Sequence, residues 1–123
     1  MSKMIDVDLD GTLAHHDRSR RFDPMVVGAP IPKMVARVKR AVAAGHKIRI
    51  FTARVSTGTQ AERDRIRSAI AVWAKEHLGF IPDITHEKSI MTSEVWDDRA
   101  VRVVPNTGEA GATGDTLWST LDE

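Results

Sequence analysis

The chain has 123 residues, 41% hydrophobic and 28% charged, with a net charge of +1 and no cysteine. That length suits one domain around one core, and the proportions exclude a disordered polyelectrolyte. The small net charge excludes a polycation, so nucleic-acid contact needs a local patch, and without cysteine there are no disulfides, thiolate zinc sites or cysteine nucleophiles.

Met4, Ile5, Val7 and Leu9 form an apolar run that reads as a buried strand, and it stops at Asp8 and Asp10 before a Gly11-Thr12 turn. Both carboxylates then sit at the carboxyl end of a strand, the edge where open α/β sheets bind ligands. Residues 14–29 show no helical or alternating apolar pattern and carry His15, His16, Arg18, Arg20 and Arg21; they read as a flap beside that edge, or as a solvated excursion. Pro30 and Pro32 mark a helix entry, with Ile31, Met34, Val35, Val38 and Val42 at helical spacing and Gly45 as its close. Residues 47–52 alternate and are β-branched, predicting a second strand that ends at Thr52. A right-handed crossover puts Thr52 on the same edge as Asp8.

Thr59 with Glu62 matches a capping box, and Ile66, Ala69, Ile70, Trp73 and His77 line one face of the following helix up to Gly79. Trp73 continues that stripe and reads as core. Residues 80–85 lead into a short third strand, followed by Lys88. A further apolar run ends in Asp97 and Asp98, residues 101–104 read as a short edge strand, 106–114 as a loop, and 115–121 as a final helical turn pair. No basic-then-apolar leader opens the sequence, and no apolar run nears the roughly 20 residues that span a bilayer. A soluble cytoplasmic protein without a membrane partner is expected, and its oligomeric state is left open.

Taken singly, Thr52 is a strand-end cap, Lys88 a surface lysine and Asp97-Asp98 a turn. Together with Asp8-x-Asp10-Gly11-Thr12-Leu13 they resemble, in order and context, the four motifs of the haloacid dehalogenase-like (HAD) superfamily of phosphotransferases. The runs Thr52-Ala53-Arg54, Trp96-Asp97-Asp98-Arg99-Ala100-Val101 and Val104-Pro105-Asn106-Thr107-Gly108 look like small HAD-like proteins often encoded by phages and prophages. They are similar, more distantly, to the phosphatase domain of polynucleotide kinases.

The resemblance implies a three-layer, Rossmann-like α/β domain over residues 1–123, with about five parallel strands between helices. About 35 residues separate Thr52 from Lys88, too few for a large cap beside the second helix, so a capless member with only the 14–29 flap is expected. It implies a Mg²⁺-dependent phosphomonoester hydrolase in which Asp8 forms an aspartyl-phosphate and Asp10 serves as acid and base. Asp8, the Asp10 carbonyl and Asp98 would bind Mg²⁺, with Asp97 acting through water or orienting Lys88. Thr52 would donate to a phosphoryl oxygen, and Lys88 would keep Asp8 ionised.

Arg20 and Arg21 in the flap, with Arg18, and Arg54 beyond Thr52 suit flanking phosphates, which favours a nucleotide or nucleic-acid end as substrate. A phospho-accepting module or an idle binding module on the same fold is the alternative. Asp6 departs from the pattern, as a third carboxylate on the strand face of Asp8 with no evident partner.

Overall fold

In β1 (Met4–Asp8), Ile5 and Val7 are fully buried on one face while Asp6 and Asp8 point to the other, the two-residue alternation of an extended chain. The computed structural model describes residues 2–112, 114 and 116–121. α1 (Pro32–Ala43) begins with proline, whose missing N–H costs nothing there, and buries Met34, Val38 and Ala41. Val42, expected on that stripe, is instead partly exposed, with Ala41 in the inward place.

β2 (Lys47–Phe51) buries Ile48 and Ile50 and pairs with β1 in parallel register, Asp8 opposite Phe51. Thr52 therefore stands at the sheet edge next to Asp8. A single 3₁₀ turn (Ala53–Val55) follows, then α2 (Gln60–Leu78). The capping box forms: Thr59 Oγ1 accepts from the Glu62 N–H at 3.1 Å, and the Glu62 carboxylate accepts from the Thr59 N–H at 3.2 Å. α2 ends at Gly79, whose φ of +86° is the left-handed conformation that closes a helix. Trp73 is core, with Ile66, Ile70, Ala74 and Leu78, and its indole N–H donates to the Gly28 carbonyl at 2.8 Å.

β3 (Asp83–Thr85) and β4 (Thr92–Trp96) complete a four-stranded, all-parallel sheet in the order β3-β2-β1-β4. Right-handed crossovers from β1 to β2 to β3 place α1 and α2 on one face, where they touch each other. Their buried residues join Ile5, Val7, Ile48, Ile50 and Trp96 in one core cluster, and burying each large aliphatic side chain contributes about 1.5–3 kcal/mol.

Two expectations about the sheet are corrected. It has four strands among the described residues, not about five: residues 101–104 contribute only an isolated bridge, Val103 to Ala110, in a tight excursion around Asn106. Residues 86–91 join β3 to β4 without a helix, so the described residues place helices on one face, not on two. α3 (Leu117–Thr120) is one turn, and Asp115, where the final helical segment was expected to begin, lies outside the described residues. Glu94 on β4 caps it, its carboxylate accepting from the Leu117 N–H at 2.6 Å and the Trp118 N–H at 3.2 Å.

The partner of Asp6 is Arg49. The register sets them side by side on β1 and β2, and Arg49 donates to both Asp6 oxygens at 2.7 and 2.8 Å. Thr92 Oγ1 adds a third bond at 2.9 Å, so a carboxylate only 1% exposed is fully compensated. No helix among the described residues is long and apolar enough to cross a membrane.

Candidate active site

Asp8 ends β1, and Asp97 and Asp98 follow directly on β4, its neighbour in the sheet. Adjacent parallel strands thus bring three carboxylates together, one oxygen of each within 4.8 Å of the others. The strand order also reverses here, with β2 and β3 on one side of β1 and β4 on the other. That reversal is where an open α/β sheet leaves a crevice for a ligand.

The turn after β1 makes the close approach feasible. Gly11 has a φ of +86°, and a Cβ at that position would stand 2.7 Å from Asp98 Oδ2. Thr12, part of the sequence motif but without an expected role, binds Asp98 twice: its Oγ1 accepts from the Asp98 N–H and donates to Oδ1, each at 2.9 Å. The same hydroxyl lies 3.3 Å from Asp8 Oδ2. Gly11→Ala is expected to push Asp98 out of the cluster and to strain the turn by about 1–2 kcal/mol. Calorimetry with Mg²⁺ checks this: where the parent cluster takes up the ion, the variant should bind it more weakly, and unaltered affinity would show that the gap is not needed.

Electrostatics single out Asp8. Burial first, then the negative charges of Asp97 and Asp98, push its carboxyl from an ordinary 3.8 up to about 7. Asp98 moves the other way: burial works against its ionisation, but hydrogen bonds from Thr12, Asp8 and its own amide outweigh that and hold it low. Of the two, Asp8 is therefore the carboxyl that holds a proton more readily. Three hard oxygen donors that repel one another fit a small divalent cation, which would replace that proton and relieve the repulsion.

The other expected site residues are distributed differently. The Asp10 carboxylate is not in the cluster; it accepts two bonds from Arg54, Nε to Oδ2 at 2.8 Å and Nη2 to Oδ1 at 2.7 Å. His16 Nδ1 lies 3.8 Å from the same carboxylate. Arg54, expected to reach flanking phosphates, is instead buried, its Nη1 donating to the Pro24 and Val26 carbonyls at 2.9 and 3.0 Å. Nothing in its residue type announces this: guanidinium forks bind carboxylates and phosphates alike.

Thr52 is buried, and its Oγ1 accepts from the Arg54 N–H at 3.2 Å, so it caps the 3₁₀ turn and keeps its own hydroxyl proton for another acceptor. Lys88 is exposed on the 86–91 connection and makes none of the described ion pairs. It is not among the groups that act on Asp8, whose carboxyl is governed by burial, Asp97, Asp98 and Thr12. Arg18, Arg20 and Arg21 are exposed, and Arg20 pairs with Asp17 at 3.3 Å.

No family model matches the sequence, and no curated protein matches it. Among solved structures, the chain is similar to one titled "Structure of the conserved protein coded by locus from Bacteroides thetaiotaomicron". The likeness covers 86% of this chain and 84% of that one, with a TM-score of 0.57 and 19% identity. It supports the α/β fold with a parallel sheet.

Proposed function

We propose that this protein is a Mg²⁺-dependent phosphomonoester hydrolase, a small, capless, phage-type relative of the HAD superfamily. The observation that carries the proposal is the carboxylate of Asp8 at the end of an inner parallel strand, crowded by Asp97 and Asp98 at the reversal of strand order. Asp8, Asp97 and Asp98 would hold the ion, which supplies positive charge to the phosphoryl group and to Asp8.

An Asp8 oxygen attacks phosphorus and the bond from phosphorus to the leaving oxygen breaks, with Asp10 giving that oxygen a proton. Water, deprotonated by Asp10, then attacks the same phosphorus, releasing phosphate and restoring Asp8. The free hydroxyl proton of Thr52 suits a phosphoryl oxygen at the sheet edge. Lys88 contributes its charge only when the 86–91 connection carries it toward Asp8.

Turnover of an aryl phosphate with Mg²⁺ tests the class. Within it, Asp98→Ala is expected to raise the Mg²⁺ concentration for half-maximal activity more than Asp97→Ala, because Asp98 is the one fixed by Thr12. A larger shift for Asp97→Ala would exchange their roles.

For substrate we favour a nucleotide or nucleic-acid end. With Arg54 engaged inside the protein, exposed cations remain on the flap, at Arg18, Arg20 and Arg21, and at Arg99 directly after Asp98. Replacing Arg20 and Arg21 with Ala should reduce kcat/KM for an end-phosphorylated oligonucleotide about tenfold while sparing an aryl phosphate, and added salt should have the same effect. Equal losses on both substrates would remove the preference.

A second reading, a module that accepts or binds phosphate without turning it over, is favoured by one observation: both Asp10 oxygens are already bound by Arg54. Multiple turnovers per chain exclude it.

A further inference from the structure

Arg54 connects three parts of the molecule that the sequence keeps apart. Its backbone N–H is bound by Thr52 at the end of β2, its Nε and Nη2 hold Asp10 after β1, and its Nη1 holds carbonyls of the flap. The Phe22 ring lies against the guanidinium, 4.8 Å from Cζ to ring centroid. At the far end of the same segment, the Gly28 carbonyl is held by the Trp73 indole, and Gly28 itself packs so closely on the His15 carbonyl that a Cβ would come within 2.0 Å. Residues 22–28 are thus seated at both ends, while 17–21 form an exposed tip.

We propose that Arg54 is a latch that couples the seating of residues 22–28 to the placement of the Asp10 carboxylate. A planar fork with one edge on a carboxylate and another tip on two carbonyls cannot shift toward one set without loosening the other. Its side chain is only 5% exposed, so water does not readily replace a lost partner. When Asp10 turns away to meet a substrate, the flap loses its anchor; when the flap lifts, Asp10 is freed. Arg54 is therefore a positioning residue, and the flap is part of the switch. The catalytic consequence rests on the hydrolase reading above, but the mechanical coupling does not.

The test uses the full chain and the Trp73 indole N–H resonance, which reports the bond to Gly28. Asp10→Asn and Arg54→Lys should each shift that resonance and speed its exchange with water about tenfold. Asp17→Asn, which alters the flap tip but no Arg54 contact, should leave it in place. An unmoved Trp73 signal in both Asp10→Asn and Arg54→Lys overturns the latch, and so does an equal response to Asp17→Asn. If Arg54→Lys does not fold, Asp10→Asn decides alone.

With an aryl phosphate, Arg54→Lys should lower kcat far more than it alters KM, since lysine cannot grip both carboxylate oxygens. A change confined to KM contradicts the positioning role. Absence of turnover in the parent would overturn the hydrolase reading while the Trp73 signal still judges the latch.

Discussion

Asp8→Asn is expected to abolish turnover, on the order of 10³-fold or more, and at the same time to make the metal-free protein more stable above pH 7. The first follows because an amide oxygen does not replace a carboxylate nucleophile. The second follows from linkage. Folded, Asp8 keeps its proton up to about pH 7; unfolded, it releases it near 3.8. Between those values the folded state binds more protons, so the stability of the metal-free parent falls as pH rises through that window. Asn carries no charge to bury and removes the fall. Mg²⁺ competes with the same proton, so its stabilisation of the parent should weaken as pH drops below 7 and should be lost in the variant. Thermal melts at pH 5 and pH 8, with and without Mg²⁺, check all of this. A parent whose metal-free stability rises over that range would contradict the placement of Asp8.

Arg49→Met is expected to destabilise the sheet strongly, because Arg49 lies in a largely buried ion pair with Asp6. It leaves the Asp6 carboxylate buried with Thr92 as its remaining partner from that set, and breaking one side of a buried pair costs about 3–5 kcal/mol. In a chain of this size that is a fall in melting temperature on the order of 10 °C or more. Replacing both Asp6 and Arg49 with Leu should be much milder, because no unpaired charge remains. Should the double variant be as unstable as Arg49→Met, the cost lies in packing and not in the orphaned carboxylate.

Much of this architecture is written locally. The β1–α1–β2–α2 order follows from alternation, helical spacing, the Thr59–Glu62 box and Gly79, all short-range signals. The meeting of Asp8 with Asp97 and Asp98 is implied only by the family resemblance; it arises because β1 and β4, far apart in sequence, are adjacent parallel strands whose carboxyl ends converge. What was hidden depends on register and direction. Asp6 and Arg49 become partners only once β1 and β2 are aligned residue for residue. Arg54 looks outward in sequence terms, yet the 3₁₀ turn after Thr52 carries it inward to Asp10.

Residues 101–104 alternate like a strand but stay exposed and make a single bridge, because the pattern for an edge strand says nothing about whether a partner lies beside it. The helix missing between β3 and β4 is equally silent: a short connection reads the same whether or not a crossover helix is expected.

In the proposed hydrolase Asp8 carries a covalent phosphoryl group, and that intermediate can be trapped. Borohydride added during steady-state turnover of an aryl phosphate reduces an acyl phosphate to the alcohol, and peptide mapping then locates the residue. The result expected is homoserine at position 8, formed only when substrate and Mg²⁺ are both present; turnover with position 8 unmodified, or with the label on another carboxylate, would contradict it.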